Sequence, residues 1–210
     1  MIEQAHLALA EAFFGLPESD GYVVGGGVAA LAHGVVERPT EDIDLFIDRR
    51  HVKARPLEAA RALSVEAGAR GWAVDWIREF PDHARLLVAT DAGPLLVDLV
   101  LETVDQKPVV TVVGPTVSER DAAVGKLVAL FDRAEARDFV DVFEFCRRYD
   151  RMLLIRLAGL RDTGLDGSHL AERCRRMTEH LTAADLPAGY QERFEEIREF
   201  YVEWRQTLLA

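Results

Sequence analysis

Apolar and polar positions follow two different periods along the chain, and the change from one to the other divides it. Residues 2–15 repeat apolar positions at helical spacing, and the breaker-rich stretch Pro17 to Gly21 ends that helix. A short strand over 22–24 follows, then a turn at Gly25, Gly26 and Gly27, a short helix over 28–33 closing at Gly34, and a β-branched and aromatic strand over 43–47. The spacing next predicts a helix over 56–69 and strands over 72–78, 85–89, 95–101 and 109–113, with Asp91-Ala92-Gly93-Pro94 as a tight turn. From Ser118 only helical periodicity remains. Ser118 caps a helix, and helices are predicted near 119–131, 137–149, 151–161, 169–182 and 188–208. The pattern therefore reads as α+β: a mixed sheet in residues 1–117, then a helical C-terminal region over 118–210.

Within this pattern two features cost stability. Three consecutive glycines precede a short apolar helix, and Asp42 and Asp44 interrupt a hydrophobic strand. Strand residues i and i+2 share a face, so the two carboxylates project together, about 6.5–7 Å apart along the strand. They repel unless a cation lies between them, and a hard divalent ion suits them: Mg²⁺ takes one or two carboxylates plus substrate phosphates. The other reading of this pair is an edge strand with an acidic exposed face. A turn without Cβ atoms lets backbone N–H groups approach an anion, although glycine also serves simply to bend a strand into a helix. Neither the P-loop spacing nor the dinucleotide-binding glycine spacing occurs between a strand and a helix here. Asp98, in the middle of an apolar strand, is costly unless partnered, by a metal, by Arg38, or by a hydrogen bond at a solvated position.

The helical half adds a second constellation. Lys126 is flanked by Val124, Leu127, Val128 and Leu130, so its amine needs an anionic partner, for which a nucleotide phosphate would serve. Asp138 lies at a helix start, where the macrodipole explains it, whereas Asp141 sits one turn deeper, between Val140 and Val142, where capping does not.

Composition narrows the function classes. The chain has 210 residues and a net charge of −11, which opposes indiscriminate DNA binding but leaves room for a local basic patch. Three clusters could supply one: Arg49, Arg50, Lys53 and Arg55; Arg147, Arg148 and Arg151; and Arg173, Arg175 and Arg176. Each is also compatible with a solvated helix face. No apolar run reaches the roughly 18 residues that span a bilayer, and the N-terminus lacks the features of a signal peptide, so a cytoplasmic location with no membrane partner is expected. Cys146 and Cys174 lack the spacing of a zinc site or a disulfide framework and read as packing residues.

Taken together, Gly25-Gly26-Gly27, the segment RPTEDIDL from Arg38, Lys126 with Arg133, and RDFVDVF from Arg137 resemble the AbiEii/MenT-type nucleotidyltransferase toxins, over about residues 20–150. The resemblance implies a DNA-polymerase-β-like nucleotidyltransferase core. It implies that Gly26, Gly27, Arg38 and Thr40 bind the nucleotide, and that Asp42, Asp44, Lys126 and Asp141 are catalytic. Asp42 and Asp44, with Asp98 as the third carboxylate, would hold Mg²⁺. It further implies transfer of a nucleotide from an NTP to the 3′ end of a tRNA, with the helical region over 118–210 completing the active site and its arginine clusters contacting the acceptor, a cognate antitoxin, and Thr40 as a phosphorylation target. Glycine replaces the serine of the commoner Gly-Ser signature, removing one hydroxyl donor to the phosphates. Two alternatives stand beside this reading: an aminoglycoside or lincosamide nucleotidyltransferase with the same glycine and DxD core, and a degenerate non-enzymatic nucleotide-binding module, which predicts a broken carboxylate set.

Overall fold

The computed structural model describes residues 2–210, and the chain forms two compact units. One takes the chain up to Gly34 together with Thr40–Asp121; the other takes Val35–Pro39 together with Ala122–Ala210. The cut therefore falls in the first turn of a helix, and a five-residue stretch that precedes the DID strand in the sequence belongs with the helical unit.

The first unit is built on a seven-stranded mixed sheet. Its strands are β1 (Tyr22–Val24), β2 (Asp42–Asp48), β3 (Ala73–Phe80), β4 (His83–Thr90), β5 (Gly93–Glu102), β6 (Val109–Thr111) and β7 (Gly114–Thr116), in the order β3-β4-β5-β2-β1-β7-β6. β2 runs parallel to β5 and antiparallel to β1, and β4 is antiparallel to both β3 and β5. The expected single strand over 109–113 is instead the tight hairpin β6–β7, whose second strand pairs parallel with β1. One face of the sheet is apolar: Ile43, Leu45 and Ile47 of β2, Leu86 and Val88 of β4, and Val97 and Leu99 of β5 pack in one cluster with Leu9 and Phe13 of α1 (Gln4–Phe14) and Leu63 of α3 (Pro56–Ala69). Each such side chain contributes about 1.5–3 kcal/mol on burial, which fixes the register and so dictates which residues occupy the opposite face. α3 starts where the sequence places it. Pro56 occupies the first turn, where a missing N–H costs nothing, and Glu58 accepts from the Arg55 N–H at 2.8 Å.

α4 (Glu119–Asp132) runs from the first unit into the second, where α5 (Ala136–Cys146), α6 (Arg151–Arg161), α7 (Gly167–Glu179) and α8 (Phe194–Leu209) follow; α5 and α7 end three residues before their expected ends, and α8 begins six residues after its expected start. Ser118 Oγ accepts from the Asp121 N–H at 3.0 Å at the start of α4, and the Asp150 and Asp166 carboxylates do the same for α6 and α7. The core is aromatic: Phe139 meets Tyr201 edge to face at 5.1 Å, and the Tyr201 hydroxyl donates to the Phe139 carbonyl at 2.8 Å. Among the described residues no helix is long and apolar enough to cross a membrane.

Candidate active site

β2 alternates strictly, half-buried at Asp42, Asp44, Phe46 and Asp48 and buried at Ile43, Leu45 and Ile47. The apolar face thus anchors the strand, and both aspartates emerge on the other side. Thr40, itself buried, donates its hydroxyl to Asp42 Oδ1 at 2.8 Å and holds that carboxylate in one orientation. His6 of α1 lies beneath the start of this strand, fully buried. Its Nδ1 accepts from the Glu3 N–H, and burial lowers its pKa although Glu3 and Asp42 act in the opposite sense. Nothing in the sequence marked it.

The glycines are explained by β2. Helix α2 (Gly26–Ala32) begins at Gly26, two residues before the expected start, so Gly26 and Gly27 form its first turn. Gly25 donates its N–H to the Asp44 carbonyl at 2.8 Å, and a Cβ there would lie 2.0 Å from the Phe46 ring. Gly26 has φ +58, and a Cβ on it would lie 1.6 Å from Asp44 Oδ2. Only glycine lets the turn close on the Asp44 carboxylate.

Asp98 is in register with Asp44 across the parallel β2–β5 pair, so both point to the same face. Its partners lie on β4: Oδ1 accepts from His83 Nε2 at 2.8 Å, and Oδ2 accepts from Arg85 Nε at 3.0 Å. These two contacts answer the cost of burying it. Neither partner was singled out from sequence, although the alternation of polar 83 and 85 with apolar 84, 86 and 88 was the available signal. Among the described residues no group of three or more His, Cys, Asp or Glu side chains is gathered closely enough to hold a metal, while Asp42 and Asp44 share one face of β2. Two carboxylates fit Mg²⁺, whose remaining positions are ordinarily filled by water and substrate phosphates.

The second unit carries its own charged cluster. Arg38 donates through Nε and Nη2 to the two Asp141 oxygens at 2.6 and 2.7 Å, and Lys126 Nζ lies 2.9 Å from Asp141 Oδ2. All three residues are buried. Burial alone would raise the Asp141 carboxyl, but the Lys126 ammonium and the Arg38 guanidinium outweigh it and hold it below the usual range. The anionic partner that Lys126 requires is thus Asp141, one turn beyond Asp138. Asp138 itself accepts from the Glu135 N–H and, bidentately, from Arg133, the work of a helix start. The segment carrying Arg38 is also tied down by Tyr190, whose hydroxyl accepts from the Glu37 N–H at 3.2 Å.

Most members of the basic clusters have partners within the protein. Arg173 and Arg176 donate to the Phe131, Asp132 and Ala134 carbonyls and so close the C-terminal end of α4, while Arg175 bridges Glu172 and Glu179. Arg50, Lys53 and Arg55 pair with Asp48, Asp20 and Asp82. Arg147 and Arg151 pair with Glu144 and Glu203. Burial pushes the Cys146 and Cys174 thiols up to about 12, the behaviour of packing residues.

Residues 8–208 match the family described as nucleotidyl transferase AbiEii toxin, type IV TA system. MenT4, a nucleotidyltransferase toxin from Mycobacterium tuberculosis H37Rv, superposes with a TM-score of 0.56 at 20% identity, covering 96% of this chain and 85% of that one. JHP933 from Helicobacter pylori superposes with a TM-score of 0.53 at 15% identity, covering 99% of this chain and 95% of that one. At these identities the likeness speaks for the fold alone. No curated protein matches the chain in sequence.

Proposed function

The chain belongs to the AbiEii family of nucleotidyltransferase toxins, and from that premise we propose that it moves a nucleoside monophosphate from an NTP to an RNA acceptor, the 3′ end of a tRNA, with Mg²⁺ held by Asp42 and Asp44. The observation that carries this reading is the seating of Asp44 against Gly26, where a Cβ would fall 1.6 Å from the carboxylate. A turn that excludes every side chain in favour of one carboxylate is the mark of a site in which that carboxylate has a task. Mg²⁺ bound there would lower the pKa of the attacking hydroxyl and offset charge on the phosphates.

The protein's own groups do the rest. Thr40 keeps Asp42 in one rotamer, and the short glycine turn at Gly26 and Gly27 leaves main-chain N–H groups able to approach phosphate oxygens. The acceptor hydroxyl forms a bond to the α-phosphorus, the α–β phosphoanhydride breaks, and pyrophosphate leaves. Positioning and charge stabilisation supply most of such a rate. In the helical unit Lys126 and Asp141 are the further catalytic residues of this reading, and Arg38 adds nucleotide binding while fixing the Asp141 carboxylate from its second side. The antitoxin and a cytoplasmic setting follow from the same reading.

The test is incubation with tRNA, Mg²⁺ and each labelled NTP in turn. The intact chain labels the RNA, Asp42→Asn and Lys126→Ala abolish labelling, and Gly26→Ala reduces it at least tenfold by displacing Asp44. Label on an aminoglycoside hydroxyl in place of RNA would move the assignment to antibiotic modification.

A further inference from the structure

β3 is an edge strand, and its ladder with β4 slips by one residue between Trp76 and Arg78. Before the slip, Val74 and Trp76 stand opposite Val88 and Leu86, on the apolar face. The extra residue, Ile77, inverts the alternation, so that Arg78 comes to stand opposite Arg85 and Phe80 opposite His83. A bulge of this kind re-aims side chains. Here it moves a guanidinium and a phenyl ring from the core side to the side that carries Asp42, Asp44 and Asp98. Across four neighbouring strands the resulting row reads Asp44, Asp98, Arg85, Arg78.

Two arginines directly opposite each other repel and are not chosen for stability. Asp98 compensates Arg85, but among the described residues Arg78 has no carboxylate partner; its hydrogen bond runs from Nη1 to His83 Nδ1 at 3.2 Å. Because arginine can only donate, His83 Nδ1 accepts and Nε2 carries the hydrogen given to Asp98. The imidazole is thereby locked between the two strands. Beside it Phe80 is 61% exposed. In a chain of net charge −11, where the other basic clusters are largely consumed by carboxylates and helix ends, this is a guanidinium pair beside an exposed aromatic face.

We propose that Arg78 and Arg85, with Phe80 and His83 beside them, form a platform for single-stranded RNA, the arginines meeting backbone phosphates and the rings stacking on bases. Charge complementarity and exposed π surface are what sequence-tolerant single-strand recognition uses. The platform rests on the reading of Asp42 and Asp44 as the catalytic pair and names the residues that hold its acceptor. At about 4.8 Å per strand the Cα atoms of Arg85 and Arg78 lie about 10 and 14 Å from that of Asp44, within a few nucleotides of a reacting 3′ end.

The experiment measures fluorescence anisotropy of a short fluorescein-labelled single-stranded RNA with the full chain across a salt series, together with steady-state transfer kinetics. Arg78→Gln is expected to weaken binding severalfold and to lower the salt slope by about 0.7, the release expected for one lost phosphate contact. Phe80→Ala is expected to weaken binding about tenfold with the slope unchanged. Both variants raise KM for RNA and leave KM for the NTP as it was, which a merely structural defect would not do, and both residues are exposed, so the fold survives. If the intact chain binds no single-stranded RNA, or if both variants bind it as the intact chain does, the platform is refuted, as it is if they lose only association with a protein partner. Binding with the predicted salt slope but without nucleotide transfer keeps the platform and refutes the catalytic reading.

Discussion

Two buried aspartates, Asp98 in the sheet and Asp141 in the helices, are each held by two nitrogen-bearing side chains, yet the two arrangements differ in where those partners lie. The partners of Asp141, Arg38 and Lys126, are as buried as the carboxylate. Those of Asp98 are not: the side chains of His83 and Arg85 are 29% and 35% exposed. Taking charges out of water costs several kcal/mol per ion, repaid only while the partners stay together. The helical cluster is therefore a closed unit whose members depend on one another, whereas the sheet cluster keeps a guanidinium and an imidazole that water, or a ligand, reaches. The difference teaches that a buried carboxylate can serve either to fix neighbouring cations inside the protein or to present them at its surface.

The sharpest way to break the comparison is to neutralise each carboxylate. Asp141→Asn takes the shared carboxylate from two buried cations and is expected to cost about 3–5 kcal/mol, a fall in Tm on the order of 10 °C for a chain of this size. The same variant has a pH signature. The folded-state pKa of Asp141 lies below its ordinary value, so its contribution is complete above about pH 4 and is lost as pH falls from there through the depressed value. The stability gap between the intact chain and Asp141→Asn, measured by denaturant titration, is expected to be constant near neutrality and to close in acid. Asp98→Asn is the milder counterpart. His83 and Arg85 turn to water, so about 1–2 kcal/mol is expected from weakening two charge-assisted hydrogen bonds whose donors water reaches, readable as a shift in the urea midpoint. Smallest of all, Arg175→Ala removes an exposed bridge on α7, and the melting midpoint is expected to stay within error of the intact chain.

Much of this architecture was legible in the order of residues. The helices over 56–69 and 151–161 lie where periodicity, Pro56 and the Asp150 cap place them, because those signals act within one turn of the chain. The paired Asp42 and Asp44 were legible for the same reason, since period-two geometry needs only the strand itself. What could not be read depends on partners distant in sequence. The Val35–Pro39 stretch belongs with residues from Ala122 onward, although its own composition says loop. Gly25 and Gly26 look like a phosphate-binding signature but are required in the first place by the Phe46 ring and the Asp44 carboxylate. Arg78 reads as the last residue of an ordinary strand over 72–78 and Phe80 as lying beyond it, because a bulge is a property of two strands and not of one. The arginine clusters also have partners that a linear run does not show: Arg173 and Arg176 reach across to the end of another helix.

The residue that slips the β3 ladder lies on the outermost strand, where a single neighbour has to accommodate it, and only Arg78, Glu79 and Phe80 follow it on that strand. Gain or loss of one codon there exchanges which of these three side chains accompany the aspartates, while the interior of the sheet keeps its pairing. A length change at this margin can thus rewrite the outer end of the row while Asp44, Asp98 and Arg85 keep their register.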